Sequence, residues 1–303
     1  MTRAAFPAVF AALALLGASE AFAQPAATAD APPATVTTVG ANLNISPKRV
    51  TFDRNRRSAT VYVYNQGVAP ATFDITLVDR AMLPDGQIIA VSEGEKRPEL
   101  RPIIARVKSA QTMLQVSPRR VTLAPGQGQT VRLRVATPPE APGEYRTHLT
   151  ITTIPPRDAG LTAEAAANAG PNELRFQINS VFGLSIPAIV RVGETDARAT
   201  IENARVEYEE LSLDGQSAPK RTAIMAFDIV RQGTTSLFGN IEIRPVGKSD
   251  VVGLARGVGV YPEVDRRTIR IPLSRAPASG EKLEITFTDD DTSPGTLLAK
   301  QAP

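Results

Sequence analysis

Apolar and polar residues alternate in short runs along most of this chain, and that alternation limits its fold more than any other feature. Val131, Leu133 and Val135, for example, alternate with arginines. The same pattern recurs in three other segments: residues 61–64, 73–77 and 149–152. A period of two gives a strand one buried face, because successive side chains point to opposite sides of a sheet. Turn signals such as Pro-Gly separate the runs, so we predict antiparallel, all-β sandwiches.

A second series of candidate strands follows Pro187. It comprises residues 200–206, 224–230, 237–243, 268–273 and 282–287. A chain of 303 residues is long enough for two domains of ordinary size. We therefore predict a first β domain over residues 41–187 and a second β-sandwich domain over residues 188–291.

The two ends of the chain differ from the strand-rich middle. Arg3 and an apolar run precede Ala21, Phe22 and Ala23, the small-x-small layout of a cleavage site. This predicts a secretory signal peptide over residues 1–23; an uncleaved anchor is the alternative, although the apolar run is short for a membrane span. Residues 24–40 are predicted to form a disordered leader and residues 292–303 a flexible tail, because both are poor in large apolar side chains.

The composition excludes several classes of protein. The chain has no cysteine, which removes disulfides, thiol catalysis and cysteine-based metal sites. Its 34 basic and 31 acidic residues give a net charge of only +3, so we expect no nucleic-acid partner. No stretch after the N-terminus is long and apolar enough for membrane insertion, so we expect the mature protein not to enter the bilayer.

The sequence contains no convincing active site. His148 is the only histidine, and its strand places it on a polar face, where a solvated or structural role is favoured over a catalytic one. Asp289, Asp290 and Asp291 could ligate calcium, but a solvated acidic turn is favoured. No nucleophile elbow, phosphate loop or dinucleotide motif is present. A hydrolase with dispersed carboxylates stays open, because sequence selects no carboxylate pair; we predict a protein that is not an enzyme, with no cofactor and no metal.

Five stretches of the sequence resemble the periplasmic chaperones of pilus (fimbrial) subunits. They are residues 45–53 with 58–65, residues 121–132, residues 144–146 leading to 154–156, the long strand 174–187, and the second-domain segments 231–236 and 257–261. The resemblance covers most of residues 42–290 and lies in the order and spacing of the motifs together.

This resemblance implies two immunoglobulin-like β-sandwich domains in an L-shaped arrangement, with a subunit-binding cleft and an exposed edge strand. It also implies a periplasmic chaperone that binds a pilus subunit by donor-strand complementation, in which a strand of the chaperone completes the sheet of its client. The chaperone would then deliver the subunit to an assembly platform at the outer membrane. A non-catalytic structural or adhesive surface protein is the alternative function.

The resemblance also implies a role for Arg49, whose guanidinium would hold the terminal carboxylate of the client. The family pairs this arginine with a lysine late in the long strand. Here the lysine position falls at Phe182 or Gly183, neither of which is basic. The sequence therefore leaves open which residue replaces the lysine.

An apolar row on the long strand is the second predicted binding element. Leu174, Phe176, Ile178 and Phe182 share one parity of the strand and would project on one side. We expect these residues to bind the client, and a plain core strand explains the same alternation.

Overall fold

A computed structural model of the chain describes residues 35–39, 42–139, 141–155, 175–179, 181–194, 196–212 and 215–301, with the backbone alone for residues 35–39 and 175–179. Within these ranges, no helix has the length and apolar character that crossing a membrane requires. Strands dominate, and the helical segments have only three or four residues each.

The first sandwich consists of two sheets packed face to face. The four-stranded sheet contains, in spatial order, β2 (Leu43–Ser46), β4 (Ser58–Asn65), β10 (Gly128–Val135) and β8 (Leu114–Ser117). The five-stranded sheet contains β3 (Val50–Phe52), β13 (Gly183–Val192), β11 (Gly143–Ile154), β5 (Ala71–Val78) and β9 (Arg120–Leu123). The alternating apolar residues, such as Val63, Phe73 and Leu133, are buried between the two sheets.

The second sandwich repeats this construction with other strands. One sheet contains β14 (Ala199–Leu211), β15 (Lys220–Arg231) and β18 (Arg266–Pro272). The other contains β17 (Gly253–Val260), β16 (Leu237–Pro245), β19 (Leu283–Asp289) and β20 (Leu297–Gln301). Phe227, Ile241 and Phe287 are fully buried at the centre of its core. The prediction of an all-β fold of two sandwiches is therefore confirmed, although β17 and β20 were not predicted.

An insertion of the first domain packs against the second sandwich. It contains β6 (Arg80–Met82), β7 (Ile88–Ala90), α1 (Val91–Gly94), a 3-10 turn (Pro98–Leu100) and α2 (Arg101–Ile104). Met82 belongs to the buried core of the second sandwich, and Ile103 packs against that core. The backbone N–H of Thr268 donates a hydrogen bond of 3.1 Å to the carbonyl oxygen of Pro84. The first domain thus supplies part of the second core.

The boundaries of two predicted segments differ from the structure. β13 continues without a break to Val192, so the first domain ends after that residue and not at Pro187. Ala188 and Val190 are buried in the core of the first sandwich and keep this segment in it. The predicted flexible tail contains β20, which pairs with β19 and buries Ala299 in the second core. Local composition did not reveal this strand because its pairing partner, not its own apolar content, holds it in place.

The predicted leader also contains a strand. β1 (Thr35–Val39) pairs in parallel with β12 (Arg175–Asn179), and the valines and threonines of β1 suit an extended backbone. The rest of the predicted leader and the predicted signal peptide lie outside the described residues. The predicted long strand over residues 174–187 is two strands, since β12 ends at Asn179 and β13 begins at Gly183.

Candidate functional site

A cleft of ≈ 580 Å³ opens where β3 and the end of β13 meet the second sandwich. Four basic residues line it: Lys48, Arg49, Arg56 and Arg191. Three acidic residues line it as well: Asp53, Asp290 and Asp291. The cleft is therefore strongly charged, and its cations come from the first domain.

Arg49 lies in this cleft with its side chain 9% exposed. Its Nη2 donates hydrogen bonds of 3.0 Å each to Ser236 Oγ and to Asp291 Oδ2. The guanidinium carbon stands 4.7 Å from the ring centroid of Phe238, which is cation–π distance. Nε and Nη1 are buried and have no hydrogen-bond partner among the described residues. A charged donor left in this state costs free energy, so Arg49 can take a further acceptor.

Arg191 is the second guanidinium in the cleft. Its Nη2 donates to Asp291 Oδ2 at 2.6 Å, and its Nε donates to Glu144 Oε2 at 2.9 Å. Burial alone would lower the pKa of Arg191, but the charges of Glu144 and Asp291 outweigh burial and raise the pKa. Ser236 joins the same network, because its N–H and Oγ both bond to Glu144 Oε2. The two domains are thus connected by a buried network of charges.

Asp291 is the carboxylate on which both arginines converge. Burial would raise the pKa of Asp291, but Arg49 and Arg191 outweigh it and hold the pKa below its ordinary value. The interpretation of residues 289–291 as a solvated acidic turn is wrong for two of the three residues. Asp289 is buried and accepts the N–H groups of Asp291 and Ser293, and Asp291 lies in the network; Asp290 alone is exposed. Asp289 orders the turn that carries Asp291 to the cleft.

Arg191 occupies the cleft beside Arg49, where the family resemblance led us to look for a lysine. Sequence reasoning did not select Arg191. It also missed Glu144, Ser236 and Asp291. The available signal was weak, because the alternation of β13 places Arg191 on the face opposite the core of the first sandwich, together with Ser185, where a charged side chain is ordinary.

The edge of β13 next to the cleft is open in part. β3 pairs with β13 in parallel only at residues 188–190, through Val50, Thr51 and Phe52. On the other side, β11 pairs with all of residues 183–192. Among the described residues, no strand covers residues 183–187 on the β3 side. Extending the parallel register by one residue puts Arg49 next to Pro187, at the point where the open segment ends.

The predicted apolar row is described only in part. Leu174 lies outside the described residues, and Phe176 and Ile178 lie in β12, opposite Val36 and Thr38 of β1 in the backbone register. Phe182 lies between β12 and β13, and the structure places it 44% exposed to solvent. Its N–H donates to Thr153 Oγ1 at 2.9 Å, which fixes its backbone beside β11. The adjacent Val181 is also exposed.

The polar face of β11 faces the second domain and not solvent. His148 is 3% exposed there, with its ring 6.4 Å from the ring of Tyr261. Burial, followed by the charges of Arg146 and of two other arginines, lowers the pKa of His148 to about 3. Arg146 forms a buried ion pair with Glu263, which also accepts the N–H of Met82 at 2.7 Å. The structural interpretation of His148 therefore fits better than the solvated one.

Among the residues that the structure describes, no group of three or more His, Cys, Asp or Glu side chains is arranged to hold a metal ion. Of the three carboxylates that line the cleft, Asp291 is engaged by two arginines, Asp53 accepts two backbone N–H groups, and Asp290 is exposed. The arginines of the cleft suit the binding of an anionic group.

Comparisons with known proteins give similarity in structure and none in sequence. No protein-family model matches the chain, and no curated protein matches it. The Escherichia coli chaperone DraB is similar at 12% identity and a TM-score of 0.43, covering 89% of this chain and 99% of that one. The YadV chaperone is similar at 11% identity and 0.43, covering 86% of this chain and 99% of that one.

A third similar structure is a complex. It is the pre-assembly complex of chaperone CsuC with tip subunit CsuE from archaic chaperone-usher pili of Acinetobacter baumannii. The match has 12% identity and a TM-score of 0.42, and it covers 86% of this chain and 97% of that one. CsuC comes from the class of pilus chaperones that the sequence resembles. Because these scores are low, the function proposed below rests on the residues of this chain.

Proposed function

We propose that this chain is a periplasmic, non-enzymatic chaperone that holds a pilus subunit by strand pairing and delivers it to an assembly platform at the outer membrane. The observation that carries the proposal is the open edge of β13 at residues 183–187, which ends beside Arg49. An open edge offers backbone N–H and C=O groups to another chain, and strand addition uses such edges.

The parallel register of β3 suggests the direction of the client. A client strand that continues the line of β3 and runs parallel to β13 would end beside Arg49. Its terminal carboxylate would then reach the guanidinium donors that have no partner among the described residues, Nε and Nη1. Such hydrogen bonds between charged groups are stronger than neutral ones. Arg49 would set the register, because the client strand would stop where its terminal carboxylate meets the guanidinium.

Apolar side chains near the edge would supply most of the affinity. Val181 and Phe182 are exposed beside the open segment. We also expect Leu174, Phe176 and Ile178 to insert into an apolar groove of the client. Burying one such side chain contributes about 1.5–3 kcal/mol, so several together outweigh one arginine contact before the cost of association is subtracted.

Co-expression with candidate exported subunits, followed by purification from the periplasm, tests the proposal. We expect a soluble one-to-one complex with the subunit. The variant Phe182→Asp should reduce recovery of the complex at least tenfold, since it puts a charge into an apolar contact. Val68→Asp is the matched control, because Val68 is 94% exposed in the loop between β4 and β5 and does not belong to β13 or to the segment before it.

The same experiment separates the alternative functions. A structural or adhesive protein would stay in an assembled fibre and would not release its partner to a second subunit. If no exported subunit is captured, or if Phe182→Asp and Val68→Asp behave alike, the proposed binding edge is wrong.

The N-terminal sequence supports export. The intact mass of the periplasmic form should match that of a chain that begins at Gln24.

A further inference from the structure

The outer face of the four-stranded sheet of the first sandwich has an unusual composition. We call it the Tyr–Arg face and define it by the outward residues of β2, β4, β10 and β8: Asn44, Ser46, Ser58, Thr60, Tyr62, Tyr64, Gly128, Thr130, Arg132, Arg134, Gln115 and Ser117. None of these residues is acidic. This face points away from the five-stranded sheet, which carries the open edge of β13.

Two tyrosines form a flat aromatic surface at one end of the Tyr–Arg face. The rings of Tyr62 and Tyr64 stack with centroids 6.4 Å apart and an interplanar angle of 26°. Tyr62 is 48% exposed, and its ring lies across Gly128, where any Cβ atom would collide with the ring. The glycine is therefore required for the ring to lie flat on the sheet. Large aromatic groups held in this way contribute strongly to protein interfaces at little cost in conformational entropy.

Arginines without partners continue the same surface. Arg132 and Arg134 are exposed, and neither forms an ion pair with any described residue. Some exposed arginines elsewhere in the chain do form such pairs, as Arg120 does with Asp74 and Arg270 with Glu209. At the end of the sheet that carries Arg134, the loop before β4 adds the exposed Arg54 and Arg57. The one carboxylate of that loop, Asp53, accepts the backbone N–H groups of residues 55 and 56.

We propose that the Tyr–Arg face binds an extended acidic segment of a second protein. Side chains two apart on a strand repeat at about 6.8 Å, so carboxylates at alternate positions of an extended segment match Arg132 and Arg134. Arginine and tyrosine are among the residues most enriched in the energetic centres of protein interfaces. Complementary charge also speeds the encounter of the two partners. Because the face and the open edge of β13 belong to different sheets, the second protein binds while a client occupies the edge.

Fluorescence anisotropy with a labelled peptide of alternating Glu and Thr tests this proposal on the mature full-length protein. We expect binding that weakens as salt is raised. The double variant Arg132→Glu with Arg134→Glu should weaken it at least tenfold. The matched control is Arg119→Glu with Arg256→Glu, which changes the net charge equally at exposed arginines outside the face and should leave binding within twofold.

A third variant separates the face from simple charge attraction. Gly128→Ala leaves the charge unchanged and displaces the ring of Tyr62, so it should weaken binding severalfold while circular dichroism stays that of the folded protein. The proposal is overturned if the peptide does not bind, if both double variants lose binding equally, or if a single-stranded oligonucleotide or an anionic lipid vesicle binds more tightly through the same arginines. Capture of a subunit should be unchanged in all three variants.

Discussion

Asp291 Oδ2 lies 3.0 Å from Arg49 Nη2, although the two residues are 242 positions apart and belong to different sandwiches. The same oxygen lies 2.6 Å from Arg191 Nη2. One carboxylate from the second domain thus compensates two guanidinium groups from the first. The pair holds the domains together and shows by example that the cleft accommodates a carboxylate.

Replacing Asp291 by asparagine should destabilise the protein by about 3 kcal/mol, because it leaves two buried cations with less compensation. The measurement is urea unfolding followed by circular dichroism, since the chain has no tryptophan. Asp290→Asn is the control, as Asp290 is exposed and should cost less than about 0.5 kcal/mol. Equal stability of the two variants would contradict a buried network at Asp291.

The sequence predicted the elements of the fold better than the site. The alternation of Val131, Leu133 and Val135 specifies one buried face wherever the strand lies, so a strand of this kind is visible in a single sequence. The environment of Asp291 depends on two arginines from distant strands, and no local pattern encodes such contacts. Asp291 therefore looked like part of a solvated turn.

The insertion of the first domain, like the environment of Asp291, could not be predicted from the sequence. Residues 88–90 and 91–104 have too few residues per element for any period to be read, and β17 is interrupted by glycines. Arg49 was identified only because its surrounding motif resembles a family. Arg191 was not selected, because in sequence it is one more arginine at a strand position, and its role depends on the position of β3 in space.

Replacing Met82 by alanine should destabilise the second sandwich even though Met82 belongs to the first domain. Met82 is buried in the second core, and truncating a buried methionine costs about 2–5 kcal/mol. Ile88→Ala is the matched control, since Ile88 lies opposite Met82 in the β6–β7 hairpin and is partly exposed. We expect one cooperative transition in thermal unfolding. Two separate transitions, with the variant shifting only the transition of the first sandwich, would contradict a shared core.

The stability of the protein should fall as the pH falls from about 6.5 to about 4.5, because of His148. Burial lowers the pKa of His148 to about 3 in the folded state, against 6.5 ordinarily. Below pH 6.5 the unfolded chain therefore binds a proton that the folded chain does not, and unfolding is favoured by about 1.4 kcal/mol per pH unit. Over this window the loss amounts to about 2.5 kcal/mol.

His148 is the only histidine, and ordinary carboxylates titrate mainly below pH 5, so the variant His148→Gln isolates the effect in the upper part of this window. Urea unfolding at several pH values should show a flat dependence for the variant between pH 6.5 and about pH 5.5. A slope that persists in the variant would mean that another group takes up the proton.

The last prediction concerns the pairing of Arg49 with the terminal carboxylate of a client. Arg49→Lys keeps the positive charge but removes the guanidinium donors that lack partners among the described residues. A charge-assisted hydrogen bond of this kind is worth about 1.5–3 kcal/mol, so the variant should bind a subunit with a free C-terminus about tenfold to hundredfold less tightly. Truncation to alanine is a poorer test, because it would leave Asp291 with one arginine and destabilise the fold. Arg56→Lys, in the same cleft, is the control.

A second experiment uses the subunit with its C-terminus amidated, which removes the terminal carboxylate but leaves the client strand intact. If Arg49 and the carboxylate contact each other, the amidated subunit should bind the wild-type protein and Arg49→Lys almost equally, because the interaction is already lost. Additive losses from the two changes would show that Arg49 serves the junction between the domains and not the client.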